Sequence, residues 1–135
     1  MRTAFIALVT VFTVDAVGLY FGWYLDYFWF DMTLHFLGGL FIAMLMADYL
    51  KEYVSTGSKL KNALIVLGVT AFVGVVWEFA EYVANQTLTE PVYKYFKVRV
   101  YFIGDLDDTI NDLAMDILGA AAFYFLHLLR RGKSH

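Results

Sequence analysis

The chain contains no cysteine, a single proline and few charged residues over its 135 positions. Without cysteine, disulfides, thiolate metal sites and a cysteine nucleophile are all excluded. Charged residues make up 17% of the chain, whereas a typical soluble domain has about 25%. Hydrophobic residues instead reach 61%, and the mean hydropathy is +0.61. This balance predicts a small integral membrane domain.

Four apolar stretches are each long enough to cross about 30 Å of hydrocarbon. They cover residues 3–24, 32–50, 63–86 and 109–129. Because the bilayer core offers the backbone no hydrogen-bond partner, unbroken apolar spans of this kind are helices. The sequence therefore predicts an all-α, polytopic four-transmembrane-helix bundle that forms one domain over residues 1–135.

Basic residues divide unevenly between the two sides of such a bundle. One side carries Arg2, Lys51, Lys59, Lys61, Arg130, Arg131 and Lys133. The other side carries Lys94, Lys97 and Arg99. Because basic residues concentrate in cytoplasmic loops, we expect a multi-pass cell-membrane protein with both termini in the cytoplasm.

Acidic side chains lie inside the second, third and fourth spans, near the ends that this topology places outside. Glu78, Glu81, Asp112 and Asp116 lie within the spans, with His35 near them, and Asp31 and Asp108 come just before the second and fourth spans. Each ionisable group near the bilayer centre costs roughly 2.5–3.5 kcal/mol, and no Lys or Arg lies within the spans. The acids must therefore be protonated, hydrated, paired or bound to a cation, so they form the candidate functional site.

The spacing within the second and third spans brings these groups together in pairs. Asp31 and His35 are four residues apart and share one helix face, so they predict a metal ligand with a second ligand or an orienting partner. The alternative is an interfacial aspartate beside an ordinary hydrogen-bonded histidine. Glu78 and Glu81 share a face three residues apart, which suits a chelating or bridging pair, and either one is a candidate general base. The alternative is a structural acid paired with a basic residue.

The fourth span begins with a stripe of three aspartates, Asp108, Asp112 and Asp116. Like charges four residues apart repel on a helix, so a cation or protonation must neutralise part of the stripe. Asp15, in the middle of the first span, is open to two interpretations. It either closes the site from below or is protonated against a tyrosine.

The donor set is dominated by carboxylate oxygens with one imidazole, which favours Mg, Mn or Ca ahead of Zn or Fe. The predicted divalent-metal ligands are Asp31, His35, Glu78, Glu81, Asp108, Asp112 and Asp116. Glu78 and Glu81 are also the predicted catalytic residues.

Residues 92–102 alternate basic residues with aromatic and aliphatic ones, a period of two that predicts an interfacial hairpin or strand. Lys94, Lys97 and Arg99 would suit an anionic substrate near the acids, such as a phosphate ester or a lipid headgroup. The alternative is that they are snorkelling anchors at the membrane surface.

An ordered set of motifs runs from residue 31 to residue 121. It reads Asp31-xxx-His35-Phe36-xx-Gly39, then Glu78-xx-Glu81, then Asp108…Asp112-xxx-Asp116-xx-Gly119-Ala120. This set resembles the YjdF-like inner-membrane proteins, a family of unknown function, and more distantly the VanZ-like family linked to glycopeptide resistance. Neither resemblance implies a settled reaction, so only the acid and histidine positions are carried over.

Three functions are compatible with these patterns. The first is metal-dependent hydrolysis or transfer at a phosphate ester of a lipid or lipid-linked substrate in the outer leaflet. The second is a cation- or proton-coupled transporter subunit that uses the same acids, and the third is a non-catalytic, metal-stabilised membrane scaffold. Membrane lipid and self-association into a homo-oligomer are the expected partners, and no nucleic acid is expected.

Overall fold

The computed structural model describes residues 1–54 and 58–132. Its helices are α1 (Arg2–Phe21), α2 (Trp23–Asp26), α3 (Trp29–Tyr49), α4 (Lys51–Val54), α5 (Lys59–Thr87), α6 (Thr89–Phe96) and α7 (Leu106–Gly132). The four long helices are long and apolar enough to cross a membrane, and the described residues include no strand. The prediction of an all-α, polytopic membrane bundle is confirmed.

Local chemistry explains where these helices begin and end. Gly22 adopts a left-handed conformation with φ of 74° and ends α1 before the predicted boundary, because glycine has no Cβ to oppose a positive φ. The chain then turns through α2 into α3, which begins at Trp29, so Asp31 lies in its first turn. At the start of α5, the Ser58 hydroxyl accepts a hydrogen bond of 3.2 Å from the Lys61 backbone N–H, as a helix N-cap does.

α3 packs against α1, α5 and α7, while α5 and α7 pack against each other. The closest approach is between α3 and α7, where two glycines form the seam. A Cβ added to Gly39 would collide with the backbone of Asp116, and one added to Gly119 would collide with the Phe36 carbonyl. Small residues let membrane helices approach closely and gain packing contacts, so these glycines set the distance between α3 and α7.

The bundle has two ends of different character. At one end, α1 and α5 end while α3 and α7 begin; we call this the site end. The opposite end holds the apolar core, formed by Ala43, Val54, Val66, Ala120 and Tyr124. There the Tyr124 hydroxyl donates to the Lys59 carbonyl oxygen at 2.7 Å, and the terminal ammonium of Met1 pairs with Asp48. These contacts bring the beginnings and ends of distant helices together.

The segment between α5 and α7 corrects one prediction. The alternating sequence predicted a hairpin or strand over residues 92–102, but α6 covers Thr89–Phe96 and ends at Lys97, whose φ is 60°. Pro91 lies in the first turn of α6, and a first-turn proline is tolerated because its missing N–H would have no partner there. Glu90 in the same turn also favours the helix, because its negative charge interacts with the positive, N-terminal end of the helix dipole.

Candidate metal centre

The imidazole of His35 lies between two carboxylates at the site end. Its Nε2 is 3.6 Å from Oδ1 of Asp31, one turn earlier on α3. Its Nδ1 is 3.6 Å from Oδ1 of Asp116 on α7. His35 and Asp116 are both buried. The spacing on α3 and the close α3–α7 seam therefore place one carboxylate at each ring nitrogen.

α5 adds two carboxylates to the group around the imidazole. Glu78 is only 6% exposed, and Glu81, one turn later, is half-buried. Gly74, one turn before Glu78, faces the Asp116 carboxylate so closely that a Cβ there would collide with it. The absence of a side chain at Gly74 thus brings α5 and α7 together just below the two glutamates.

Two groups of three residues are arranged as metal ligands would be. Donor atoms of Asp31, His35 and Asp112 all lie within 4.8 Å of one another, as do those of His35, Glu78 and Glu81. Two ligands bound to one ion at roughly 2.0–2.6 Å lie at most about 5 Å apart. Both groups therefore have the dimensions of a cation site, and His35 belongs to both.

Several oxygen atoms of this cluster make no hydrogen bond of 3.5 Å or less among the described residues, although the Thr109 side chain on α7 lies near Glu78. They are both carboxylate oxygens of Glu78 and Oδ1 of Asp112, a residue that is only 2% exposed. Buried polar atoms are almost always partnered, and a buried charge without a partner is very costly. α3 contains no Lys or Arg, and those of α5 and α7 lie at the opposite end. A bound cation would satisfy these oxygens.

Two predicted ligands lie outside the groups of three. Asp116 contacts His35 but belongs to neither group. Asp108 is half-buried, and its Oδ2 accepts a hydrogen bond of 3.1 Å from the Gly104 backbone N–H. Asp108 therefore fixes the loop that leads into α7, and its assignment as a ligand stays a prediction.

The predicted substrate cations lie apart from the cluster. Lys94 is on α6, and Lys97 and Arg99 follow it. Nζ of Lys94 is 5.7 Å from the centroid of the Tyr95 ring, and Cζ of Arg99 is 5.7 Å from that of Tyr93. Within the part of the chain that the structure describes, none of the three lines the cavity at the cluster. Their exposed, aromatic-flanked positions suit surface anchors, and a substrate-binding role stays a prediction.

Asp15 and Tyr24 extend the polar region toward α1. The Tyr24 hydroxyl donates a hydrogen bond to Oδ1 of Asp15, and both residues line the same cavity as His35. Burial, and then the nearby Asp15 carboxylate, raise the pKa of the Tyr24 phenol above its ordinary value, so Tyr24 keeps its proton. Asp15 therefore contacts a tyrosine and lines the cavity at the cluster, while its protonation and its closing of the site from below stay predictions. The sequence did not single out Tyr24, because only the turn at Gly22 brings it back onto Asp15.

A cavity of about 250 Å³ adjoins the cluster. Its polar side chains at the site end are those of Asp15, Tyr24, Asp31, His35, Glu81 and Asp116. Glu81 reaches this cavity, whereas Glu78 does not line it. The two glutamates, equivalent in the sequence, thus differ in their access to a small molecule.

The fold and the cluster define a polytopic membrane protein with a buried carboxylate–histidine group at one end of its bundle. The chain belongs to the family described as "Predicted membrane protein (DUF2238)", whose family model matches residues 1–133. The finer resemblances to YjdF-like and VanZ-like proteins stay predictions.

A relative from Thermotoga maritima, named "Uncharacterized protein", is 31% identical over 121 residues, which are 87% of this chain and 57% of the relative. The chain therefore spans a little over half the length of that relative. No solved structure gives a significant match.

Proposed function

We propose that the chain binds a divalent cation at the carboxylate–histidine cluster and uses it for hydrolysis or transfer at a phosphate ester of a membrane lipid. The observation that carries this proposal is the carboxylate of Glu78. It is almost fully buried, it makes no hydrogen bond of 3.5 Å or less among the described residues, and its donor atom lies within 4.8 Å of those of His35 and Glu81. A cation such as Mg²⁺ or Mn²⁺ would supply the missing partner.

The proposal includes a cell-membrane location with both termini in the cytoplasm. The support is the concentration of basic residues at the end of the bundle opposite the cluster. In this orientation the cluster faces the outer leaflet, where phosphate groups of lipids lie. A reporter domain fused after His135 tests this: cytoplasmic activity supports the orientation, and extracytoplasmic activity overturns it.

The chemistry follows from the access of each side chain. A bound divalent cation would polarise a phosphoryl oxygen and lower the pKa of a coordinated water. Glu81, which lines the cavity, would accept the proton of the attacking water as its oxygen bonds to phosphorus. The ester P–O bond breaks, and the leaving alcohol oxygen receives that proton. One ring nitrogen of His35 would bind the cation, and the other would donate its N–H to the carboxylate beside it, which is Asp116 at Nδ1 or Asp31 at Nε2.

The two alternative functions make different demands on the bundle. A cation- or proton-coupled transporter subunit needs a polar path beyond the cluster. The opposite half instead contains Ala43, Val66 and Ala120, all completely buried, which favours a site open at one end. A metal-stabilised scaffold would have the same cluster and the same metal but no turnover.

Metal analysis of the purified protein, followed by an assay, tests the proposal. We expect a stoichiometric divalent metal, a melting temperature that falls with chelator and recovers with Mn²⁺ or Mg²⁺, and release of inorganic phosphate from phosphatidate in nanodiscs. Glu78→Gln should abolish the metal response and the release, whereas Glu90→Gln, an exposed glutamate on α6, should preserve both. Absence of metal together with indifference to chelator and added ions would overturn the metal site. Metal binding without phosphate release would favour the scaffold.

A further inference from the structure

We infer that the cavity beside the cluster is a slot for one hydrocarbon chain of the lipid whose phosphate lies at the metal centre. The inference names the substrate class of the proposed function and rests on it. Three features support it, namely the polarity of the lining, the opening between α1 and α5, and the volume.

The lining changes from polar to apolar in the same direction on each of three helices. Along α1 it runs from Asp15 through Phe12 and Val11 to Leu8. Along α3 it runs from Asp31 and His35 past two glycines to Ile42, and along α5 from Glu81 through Trp77 to Val73. Thr70, one turn further along α5, uses its hydroxyl within the helix by donating it to the Val66 carbonyl oxygen. The 11 residue steps from position 31 to position 42 rise about 16 Å along α3. A phosphate at the polar end would therefore place its chain along the apolar end.

The slot faces the lipid between α1 and α5. Both helices pack against α3, but no Cα atom of α1 lies within 8 Å of one in α5 among the described residues. Side chains bridge this gap at the ring of Phe12, which meets the ring of Trp77 edge-on with centroids 6.0 Å apart. Both rings line the cavity, and Phe12 is 58% exposed. A side-chain rotation of Phe12 would admit a chain from the bilayer without moving a helix.

The volume of the cavity matches one hydrocarbon chain rather than two. About 250 Å³ holds roughly eight groups of the size of a water molecule, at about 30 Å³ each. A methylene group is of similar size, so the slot accommodates a segment of a single chain. A phospholipid would place a segment of one chain in the slot and leave the other chain in the bilayer, whereas a single-chain phosphate would place a segment of its only chain there.

Photolabelling tests this assignment. The probe is dodecyl phosphate with a diazirine in the middle of its chain, added to the Mn²⁺-loaded protein in phosphatidylcholine nanodiscs. We expect the label on slot residues such as Leu8, Val11, Ile42 and Val73, and its loss with excess unlabelled dodecyl phosphate. Butyl phosphate and inorganic phosphate should displace it much less, because they lack the chain. A label distributed evenly over lipid-facing residues, or displaced equally by inorganic phosphate, would overturn the slot.

A matched pair of variants sharpens the test. Leu8→Trp fills the apolar end of the slot, two turns from Asp15, and should remove the label from Val11, Ile42 and Val73. Val9→Trp adds the same side chain at a neighbouring position that is 50% exposed and does not line the cavity, so the label should persist. Equal labelling in the two variants would overturn the slot, and if Leu8→Trp does not fold, the map of labelled residues in the unaltered protein decides.

The proposal of a chain slot and the proposal of a metal site can be refuted independently of each other. Mn²⁺ binding is measured by electron paramagnetic resonance on the same samples. Slot labelling that survives in a protein without Mn²⁺ binding would support the chain site and overturn the metal-dependent function. Normal Mn²⁺ binding with labelling outside the slot would support the metal site and overturn the chain site.

Discussion

The two halves of this bundle are built from the same helices but bury opposite kinds of side chain. In the apolar half, Ala43, Val66 and Ala120 are completely buried against one another. In the half at the site end, the positions that face inward are occupied by His35, Glu78, Asp112 and Asp116, also buried. Apolar packing stabilises a bundle directly, whereas buried ionisable groups destabilise it until a partner is bound. The comparison indicates that the apolar half stabilises the fold, while the other half buries ionisable groups that the proposed cation would partner.

The largest expected effect comes from disrupting the close contact between α3 and α7, which both halves of the bundle share. In Gly39→Ala, the new Cβ would collide with the backbone of Asp116. A backbone cannot rotate away as a side chain can, so α3 and α7 must separate, at a cost of about 3 kcal/mol. The measurement is the thermal unfolding of the detergent-purified protein. Gly68→Ala is the control, because its Cβ would meet nothing within 4 Å and alanine is a better helix former than glycine. Equal melting temperatures for both variants would contradict the conclusion that Gly39 sets the distance between α3 and α7.

The next prediction distinguishes the two halves by how variants in each half change the stability gained from metal. With the cation at a hundred times its Kd, the unaltered protein should gain about 2.7 kcal/mol of stability. Glu78→Gln should lose this gain and, in chelator, be at least as stable as the unaltered protein, since a buried unpartnered carboxylate is gone.

Val66→Ala is the matching change in the apolar half. It should lower the free energy of unfolding by about 2 kcal/mol, equally in chelator and in metal. Chemical or thermal unfolding of the three proteins in both conditions provides the check. A metal response of Glu78→Gln equal to that of Val66→Ala would refute the role of Glu78.

A smaller effect is expected at Asp116, which contacts His35 but lies outside both groups of three potential ligands. Asp116→Asn should weaken the metal response without abolishing it and destabilise the metal-free protein only mildly, because one buried charge is also removed. Mn²⁺ titration monitored by melting temperature measures this. If the metal-induced shift is the same as in the unaltered protein, Asp116 is not a ligand.

The smallest effect is expected at the junction of α1 with the cluster. Tyr24→Phe removes the hydroxyl that donates to Asp15 and should cost about 0.6 kcal/mol, the average for a side-chain hydrogen bond in a membrane bundle. Tyr20→Phe, at an exposed position, is the control. A double-mutant cycle with Asp15→Asn measures the coupling, and additive effects would show that the pair contributes nothing to stability.

Much of the fold could be predicted because a bilayer leaves the backbone few options. Four apolar runs without basic residues predicted four helices, and the structure has them. The error lay outside the spans, where residues 92–102 alternate like a strand but begin within α6. In that segment no bilayer forces the choice. The first-turn residues Glu90 and Pro91 favoured a helix against a period of two.

For the candidate site, the sequence predicted which residues share a helix face but not which atoms meet. The spacing of Asp31 and His35, and of Glu78 and Glu81, follows from helix geometry alone. That His35 belongs to both groups of potential ligands depends on how α3, α5 and α7 pack. Neither the unequal access of Glu78 and Glu81 to the cavity nor the contact of Asp15 with Tyr24 could be read from spacing.

The class of protein, the four spans and the concentration of acids near one end all follow from the order of residues, because hydrophobicity and helical period are local properties of the chain. The tertiary structure alone decided the separation of the helices and everything that depends on it. Gly39 and Gly119 bring α3 against α7, and that approach buries Asp112 beside His35. The wide separation of α1 and α5 creates the cavity that both helices line. These outcomes depend on which side chains are absent at a contact between distant segments, and no local pattern records that.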